Sequence, residues 1–430
     1  MRQQIAARVS SVSRYCDRLI QWLPHPWDDG DQLEHCDCPT KYRSDDLAEI
    51  ERWASDPDSR TAILLNGNFN HHYDIHEMLT DLKPALGRGS RVIAICYNPY
   101  LRSVFRLANA LGLREGPPPT TFVTHSGLAN IARTAGYEVV RARLVGHCLF
   151  ELFGLGALLN RVLAGVPLLR NLALVSVVVL RPVLGSENLP SLSILIPARD
   201  ERDNIEAALE RLPDFGGADI EIIFVEGHSS DGTWEEIQRV IEAWRGRYEC
   251  LAFQQAGVGK ADAVRLGLGN ATKDLVTILD ADLTMPPEHL SRFYDAYCRG
   301  LADFINGSRL VYPMEGEAMR PLNRLGNVFF AKALSLILDI PISDALCGTK
   351  LMSRRDYERF VRWRSDFGEF DPFGDFELLF PAATMALGSV DIAVRYRDRT
   401  YGSTSIRRFA HGFELLKMTA IGFFRIKFGP

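Results

Sequence analysis

The stretch "VTILDADLTMPPEHL", residues 276–290, decides the fold of the second half of this 430-residue chain. Its apolar start predicts a buried strand, which ends abruptly at Asp280 and Asp282. Two carboxylates at positions i and i+2 after a strand can converge on one divalent cation, and their hard oxygens suit Mg²⁺ or Mn²⁺. The alternative is a helix N-cap, in which Asp282 or Thr284 caps the segment that begins "PPEHL". The two carboxylates alone leave both interpretations open.

Strand and helix patterns alternate around this stretch. Apolar runs predict two further buried strands at 191–197 and 219–226, and amphipathic patterns predict helices at 201–212, 233–245 and 260–268. Such alternation predicts an α/β domain with a mostly parallel sheet that is covered by helices.

Each of the three predicted strands ends in charged residues. Arg199 and Asp200 follow the first strand, Glu226 ends the second, and Asp280 and Asp282 end the third. Ligands bind at the carboxyl ends of the strands in parallel sheets. Agreement among the three strand ends therefore favours a metal or ligand site over a helix cap at 276–290.

The overall composition excludes some classes of protein. A formal net charge of −5 argues against a protein that mainly binds nucleic acid. Scattered cysteines and an N-terminus without an apolar signal segment predict a protein of the reducing cytoplasm. The most apolar region, 149–180, is interrupted by Glu151, Arg161 and Arg170, which favours buried helices followed by a buried strand over a membrane span.

Seven motifs follow one another in the second half of the chain. They are "ILIPARDERDNI" (194–205), "EIIFVEGHSSDGTWEEI" (221–237), "GVGKADAVRLGL" (257–268), "ILDADLTMPPEHL" (278–290), "GSRL" (307–310), "SDALCGTKLMSR" (343–354) and "RDRTYGSTSIRRF" (397–409). In this order they resemble the family 2 glycosyltransferases, and most of all the polyprenyl-phosphate sugar synthases of the dolichol-phosphate mannose synthase type. The resemblance covers residues 190–425 and implies a GT-A fold, a UDP- or GDP-sugar donor, a divalent metal and inversion at the anomeric carbon.

The resemblance also implies roles for individual residues. Asp280 corresponds to the carboxylate nearest the ribose and the metal, and Asp282 to the metal ligand. Arg399 and Gly402 belong to the loop that closes on the donor diphosphate. Six residues would line or approach the nucleotide: Pro197, Ala198, Glu201, Glu226, Lys260 and Asp262.

Three positions depart from the family pattern. Gly227 stands where the family has a second acidic residue, and Thr284 stands where close relatives carry glutamine, which removes a third metal contact. The segment "GSTS" at 402–405 lacks the usual lysine, whose charge Arg407 or Arg408 could supply.

The acceptor is predicted from charge. Arg309, Arg320 and Arg324 lie in the stretch that resembles the acceptor-phosphate region, which favours a polyprenyl phosphate. An ionised phosphate needs only arginines to position it, whereas a glycan hydroxyl needs a general base. If a base exists, Asp344 is the first candidate and Asp375 the second; the alternative for both is capping of a loop or helix.

The C-terminal segment 405–430 has apolar residues at helical spacing. From residue 397 onward the chain holds seven Lys or Arg against two Asp or Glu. A basic amphipathic helix can lie on an anionic bilayer surface, so we expect a peripheral protein on the cytoplasmic face of the membrane. The alternative is a helix that packs on the core of the enzyme.

The first half also has an α/β pattern. The segments 61–99 and 128–142 resemble the later half of a class I methyltransferase, which implies a partial Rossmann-like domain over 61–183. Residues 1–60 have no assigned role and contain no Gly-rich turn, so S-adenosylmethionine is an unlikely cofactor.

The predicted organisation is therefore 1–60 of unclear role, 61–183 methyltransferase-like, 190–404 glycosyltransferase and 405–430 a basic helix. Two other functions stay open at this point. The chain could be a non-catalytic scaffold with decayed domains, or an active methyltransferase.

Overall fold

A computed structural model describes residues 2–28, 30–54, 59–147, 172–313, 321–368, 374–399, 401 and 408–427. The chain divides into two units. The first holds Met1–Leu184 and Thr384–Ala386, and the second holds Gly185–Ala383 and Leu387–Lys427. Both units are α/β, so the predicted fold class is confirmed.

The first unit is built on a mixed sheet with the order β2-β1-β3-β4-β6-β5. Strands β1 to β4 are parallel, whereas β6 runs antiparallel to both β4 and β5. The strands are β1 (Arg18–Trp22), β2 (Thr40–Ser44), β3 (Thr61–Asn66), β4 (Arg91–Tyr97), β5 (Tyr137–Val145) and β6 (Val175–Pro182). The helices are α1 (Arg2–Ser13), α2 (Asp31–Glu34), α3 (Leu47–Ala54), α4 (Asn68–His71), α5 (Ile75–Leu82), α6 (Arg102–Ala110) and α7 (His125–Thr134).

Two strands within residues 2–54, β1 and β2, belong to the same sheet as the strands of segment 61–183. Strand β1 pairs with β3 in parallel, with Leu19 opposite Ala62. Strand β1 is also paired with β2, so the segment without an assigned role supplies an edge of the sheet. The predicted strand within 149–180 is present as β6, and the predicted helices before it fall at 148–171, outside the described residues.

The second unit is built on a sheet with the order β13-β11-β12-β10-β7-β8-β9. Its strands are β7 (Leu192–Ala198), β8 (Ile220–Glu226), β9 (Glu249–Gln254), β10 (Leu275–Ile278), β11 (Phe304–Ser308), β12 (Lys350–Ser353) and β13 (Ser389–Ala393). Its helices are α8 (Ile205–Glu210), α9 (Thr233–Ala243), α10 (Lys260–Gly269), α11 (Leu290–Cys298), α12 (Pro321–Leu338), α13 (Arg354–Phe367), α14 (Phe376–Thr384) and α15 (Arg408–Gly422), followed by a π-helical turn at Phe423–Lys427.

Strand β7 lies at the point where the strand order reverses. The chain adds β8 and β9 on one side of β7 and then crosses to place β10 on the other side, all four in parallel. A crevice forms outside the carboxyl ends of the strands at such a switch point. The sequence stretch 276–290 leaves the sheet at this crevice.

The core of the second unit explains why β7 and β8 read as continuous apolar runs. Ile194 and Ile222 lie on one face of the sheet and Leu195 and Ile223 on the other, and all four are 0% exposed, so both faces of the central strands are covered. Within the described part of the chain, no helix is long and apolar enough to cross a bilayer.

Candidate functional site

Six of the described non-glycine residues have a left-handed backbone, and three of them follow parallel strands of the second unit. Asp200 follows β7 with φ 54°, His228 follows β8 with φ 60°, and Leu283 follows β10 with φ 51°. A non-glycine residue in this region costs free energy, and such residues cluster where function demands a particular geometry. The strain therefore marks the carboxyl edge of β7, β8 and β10 as the candidate site.

The loops after β7 and β8 are hydrogen-bonded to each other. Asp200 accepts from the backbone N–H of Ser230 at 2.8 Å, and its own N–H donates to the Ser229 hydroxyl at 2.9 Å. Glu226 is 2% exposed and accepts from the Ser229 N–H at 2.5 Å. Glu226 thus holds the loop that borders the crevice, and its carboxylate is already engaged.

Asp280 forms an ion pair with Lys260. The Lys260 Nζ lies 2.5 Å from Asp280 Oδ1, and the side chains are 34% and 30% exposed. Burial opposes ionisation of Asp280, but the cations Lys260, Arg309 and Lys350 together outweigh it and lower the pKa of that carboxyl. Asp280, which follows β10, is consequently an anion held beside Lys260 in the first turn of α10.

Gly348 lies against this ion pair. A Cβ at this position would overlap Asp280 Oδ2 and Lys260 Nζ and would lie 3.0 Å from Asp280 Cγ. The backbone of the "CGT" segment therefore forms one wall beside the carboxylate. Only glycine leaves room for Asp280 in its observed position.

We expect Gly348→Ala to lower the sugar transfer predicted from the motifs about 10- to 100-fold, since displacing a positioned group by roughly 1 Å can cost that much. The added methyl would push the Asp280 carboxylate away from Lys260. Initial rates and a thermal melt would be measured together. The matched control is Gly269→Ala at the end of α10, where a Cβ meets no heavy atom of the described residues within 4 Å. An equal loss in both variants would contradict this account of Gly348.

Asp282 is held by two different groups. Its Oδ1 accepts from the Thr284 N–H at 3.1 Å and from the Thr284 hydroxyl at 2.8 Å. Its Oδ2 accepts from Arg399 Nη2 at 2.6 Å. The helix-cap alternative is wrong, because the helical turn that precedes α11 starts at Pro287 and has Pro286 at its N-cap, with no side-chain cap.

Arg399 also binds Glu201. Its Nη1 donates to Glu201 Oε1 at 2.9 Å, and Asn204 donates to the other carboxylate oxygen at 2.7 Å. Burial raises the pKa of Glu201 to about 7, although Arg399 and Asn204 act in the opposite direction. Arg399 thus joins the loop after β7 to Asp282.

The segment that carries Arg399 is fixed on both sides. The Arg397 N–H donates to the Thr284 carbonyl at 2.8 Å, and the Tyr401 hydroxyl donates to Asp231 Oδ2 at 3.2 Å. Partial burial opposes ionisation of Asp231, but hydrogen bonds from Thr233 and Arg202 lower its pKa. Asp231 is therefore an anionic anchor for Tyr401.

Arg309 and Asp344 form a buried pair. Arg309 donates from Nε and Nη2 to the two Asp344 oxygens, at 2.7 and 2.9 Å. The backbone N–H groups of Arg309 and Leu346 donate to the same carboxylate at 3.1 and 3.0 Å. Burial opposes ionisation of Asp344, which is 0% exposed, yet Arg309 holds its pKa below the usual range. With its acceptor positions filled in this way, Asp344 is poorly placed to take a proton.

Asp375 pairs with a buried lysine. Lys350 is 0% exposed and donates to Asp375 Oδ1 and to the Cys347 carbonyl, each at 2.5 Å. The second base candidate is therefore also tied to a cation.

The remaining predicted residues are spread more widely. Asp262 accepts from the Gly257 N–H at 3.1 Å, and Pro197 and Ala198 end β7. Arg324 is exposed on α12, and within the described residues no hydrogen bond or ion pair joins it to Asp280, Asp282 or Arg309. Arg320 and Gly402 lie outside the described residues.

Sequence reasoning did not single out four members of the site: Gly348, Lys350, Asp231 and Tyr401. All four lie within the quoted motifs. The signal was present, but their partners are distant in sequence, so spacing alone could not find them.

The carboxylates fit a cation that is held together with a phosphorylated ligand. The described residues hold no group of three His, Cys, Asp or Glu side chains that could serve as a complete metal site. Mg²⁺ is usually bound by one or two carboxylates and by substrate phosphates. Asp282, half of whose carboxylate is oriented by Thr284, provides hard oxygen of this kind.

Residues 193–361 match the family described as Glycosyl transferase family 2. The second unit contains a family 2 glycosyltransferase domain. This confirms the resemblance stated from the motifs, and the match includes Glu201, Lys260, Asp280, Asp282 and Asp344. The methyltransferase likeness of the first unit stays a prediction.

Curated relatives match the glycosyltransferase domain. A dolichyl-phosphate hexose transferase of Haloferax volcanii is 26% identical over 221 residues, which are 51% of this chain and 89% of that protein. A dolichol-phosphate mannosyltransferase of Pyrococcus furiosus is 32% identical over 121 residues, or 28% of this chain and 33% of that protein. The alignment thus spans only a third of the second relative.

A solved structure is also similar to this chain. It is glucosyl-3-phosphoglycerate synthase from Mycobacterium tuberculosis in complex with Mn²⁺, UDP and glucosyl-3-phosphoglycerate. The likeness covers 55% of this chain and 80% of that one, at 15% identity and a TM-score of 0.39.

Proposed function

We propose that this protein transfers a sugar, with inversion, from a UDP- or GDP-sugar to a polyprenyl phosphate at a membrane surface, with Mg²⁺ or Mn²⁺ as cofactor. One observation carries the proposal. The second unit brings Asp280 with Lys260, and Asp282 with Arg399, to the carboxyl edge of its central parallel strands. The names of the two curated relatives support the acceptor class.

The roles of the side chains follow from their charges. A bound divalent cation would supply positive charge to the departing diphosphate, and Asp282 would hold it with Asp280 nearby. Arg399 would donate to the diphosphate oxygens, which carry more charge as the glycosidic bond breaks. Lys260 keeps Asp280 ionised, so that the carboxylate can orient the donor.

The pairing of Asp344 supports a phosphate acceptor. A glycan hydroxyl would need a base that accepts its proton, but Asp344 is bonded to Arg309 and Asp375 to Lys350. A phosphate acceptor is already ionised and needs no such base. We therefore assign Asp344 to the positioning of Arg309, a residue that the sequence places in the acceptor region.

The membrane-binding surface of the protein is proposed to lie on two neighbouring helices and the turn that follows the second of them. We call its exposed apolar side chains the apolar pad. Helix α12 packs against α15 and the π-helical turn. The pad consists of six exposed apolar side chains: Leu325 (68%), Phe329 (54%), Leu336 (62%), Phe413 (72%), Leu416 (48%) and Phe424 (67%). Lys332, Lys417 and Arg425 are exposed on the same elements. Apolar side chains flanked by cations are typical of helices that lie in the interface of an anionic bilayer.

We expect the double variant Phe329→Glu/Phe413→Glu to bind vesicles containing phosphatidylglycerol about 10- to 100-fold more weakly, because two large apolar side chains no longer enter the bilayer. Binding would be measured by co-sedimentation. The control is Leu113→Glu, which changes an equally apolar, 78% exposed side chain of the first unit. Unchanged binding of the double variant would remove the pad from the proposal.

The function is tested by a donor panel. UDP- and GDP-sugars would be incubated with the protein and Mn²⁺, with and without a short polyprenyl phosphate, and the released nucleoside diphosphate would be measured. We expect one donor to turn over only when the lipid phosphate is present. Turnover with a glycan acceptor instead would favour the hydroxyl-acceptor alternative, and no binding or turnover of any donor would favour the scaffold.

The first unit is proposed not to bind S-adenosylmethionine. At the carboxyl edge of its parallel strands, the Trp27 ring lies 5.3 Å from that of His71. Arg114 donates to the Tyr97 hydroxyl at 2.9 Å and lies 3.0 Å from His71 Nε2. These side chains contact one another where a nucleotide would lie in an open α/β sheet.

We expect isothermal calorimetry of the full chain with S-adenosylmethionine to show no saturable heat. Micromolar binding that is lost in Trp27→Ala would overturn this assignment and favour the methyltransferase alternative.

A further inference from the structure

Arg399 occupies the oxygen of Asp282 that is not bound by Thr284. Its Nη2 lies 2.6 Å from Asp282 Oδ2, and the two side chains are 29% and 15% exposed. Thr284 takes the other oxygen through both its N–H and its hydroxyl. In the protein without a donor, both oxygens of the Asp282 carboxylate are therefore bonded to groups of the chain itself.

A guanidinium that binds Asp282 Oδ2 disfavours a divalent cation at the same oxygen. Both are cations, and a divalent ion repels the guanidinium twice as strongly as a single charge would at the same distance. A cation that Asp282 holds through this oxygen therefore competes with Arg399. In the structure the guanidinium binds Asp282, and under the proposed function it would bind the donor diphosphate instead.

We propose that Arg399 is an internal competitor for the divalent cation, which holds Asp282 until a nucleoside diphosphate arrives and gives the guanidinium a new anionic partner. This inference rests on the proposed function, since the diphosphate belongs to the donor. The donor and the cation would then enter as a coupled pair.

The neighbours of Arg399 fit such an exchange. Glu201 binds Nη1 at 2.9 Å and can keep the guanidinium in the crevice after it has left Asp282. The backbone on one side is fixed by the bond from Arg397 to Thr284, and Tyr401 is bonded to Asp231 on the other. The exchange therefore needs only the Arg399 side chain to move.

The consequence is reciprocal coupling between the two ligands. A nucleotide that removes Arg399 from Asp282 must strengthen cation binding, and the cation must strengthen nucleotide binding by the same factor. The cation alone binds weakly, because it has to break the ion pair of Arg399 without compensation.

The test measures Mn²⁺ binding directly, from the electron paramagnetic resonance signal of the free ion, with no nucleotide and then with UDP or GDP. In Arg399→Gln we expect Mn²⁺ alone to bind about tenfold more tightly than in the wild type, because the competing charge is absent. The nucleotide should also strengthen Mn²⁺ binding less in this variant than in the wild type.

Two further variants make the result specific. Arg395→Gln removes one charge from the same segment, where Arg395 is exposed, and should leave Mn²⁺ binding unchanged. Tyr401→Phe removes only the 3.2 Å bond to Asp231 that fixes the segment beside Arg399, so Arg399 should hold Asp282 less firmly. Mn²⁺ binding should then tighten about two- to threefold, the fold-change that corresponds to a weak hydrogen bond of about half a kcal/mol. If Arg399→Gln does not fold, the Mn²⁺ affinity of Tyr401→Phe tests the inference in its place.

The inference is overturned if Mn²⁺ alone binds Arg399→Gln no more tightly than the wild type, or if Arg395→Gln gives the same gain. Failure of the proposed function has a different signature. In that case no nucleotide binds and no donor turns over, while the gain in Mn²⁺ affinity on removal of Arg399 is still observed.

Discussion

Replacing Asp282 by asparagine is expected to lower donor turnover about 100- to 1,000-fold, the usual cost of removing one preorganised electrostatic contact at a reacting centre. Asparagine keeps the shape of the side chain and can still accept from Thr284. It loses the negative charge that would hold the cation and that binds Arg399 at 2.6 Å. Initial rates of nucleoside diphosphate release with Mn²⁺ would measure the effect.

The matched control for this substitution is Thr284→Val. It removes the 2.8 Å hydroxyl bond to Asp282 and leaves the bond from the backbone N–H in place. We expect a loss of about twofold to tenfold, because the charge of Asp282 is kept and a single hydrogen bond contributes on the order of 1 kcal/mol. If Asp282→Asn behaved like Thr284→Val, Asp282 would only shape the loop and would not hold a cation.

The second large effect is expected for stability. Asp344→Ala leaves the Arg309 guanidinium, only 13% exposed, without its carboxylate. Breaking a buried pair by removing one partner costs about 3–5 kcal/mol in the free energy of unfolding. Urea denaturation followed by fluorescence would measure the loss.

The double variant Arg309→Met/Asp344→Leu serves as the comparison for this prediction. Because it buries no unpaired charge, it should regain much of the stability that Asp344→Ala loses. It should still transfer sugar poorly, since Arg309 is absent. Asp344→Asn separates the two roles of the carboxylate. A nearly normal stability with lost activity, and loss of the acidic limb of the pH–rate profile, would restore Asp344 as a general base.

Much of the fold could be predicted from local pattern. The strands β7, β8 and β10 and the helices α9 and α10 fall within a few residues of their predicted ranges, because apolar periodicity directly reflects burial. The beginning of the chain was harder to interpret. Strands β1 and β2 are short, and β2 has exposed residues, so neither has a strong pattern of its own. Their place in the sheet follows from the pairing of β1 with β3 and of β2 with β1.

The candidate site could be predicted only in its composition. The motifs identified Lys260, Asp280, Asp282, Arg309 and Asp344, and the sheet brings Lys260 to Asp280 and Arg309 to Asp344. The prediction that Asp344 is the base candidate took no account of its partner. A carboxylate has the same appearance in a sequence whether it is solvated or bonded to a buried arginine.

By itself, the sequence determined the alternation of strands and helices, the family of the second unit and the placement of carboxylates after β10. These features depend on neighbours within a few positions, so the local order of residues is sufficient. Tertiary structure alone decided that Arg399 reaches Asp282 across 117 positions and that Gly348 borders Asp280. Such contacts depend on the strand order β12-β10-β7-β8 and on the paths of the loops, because residues far apart in the chain meet only when the sheet places their ends at one edge.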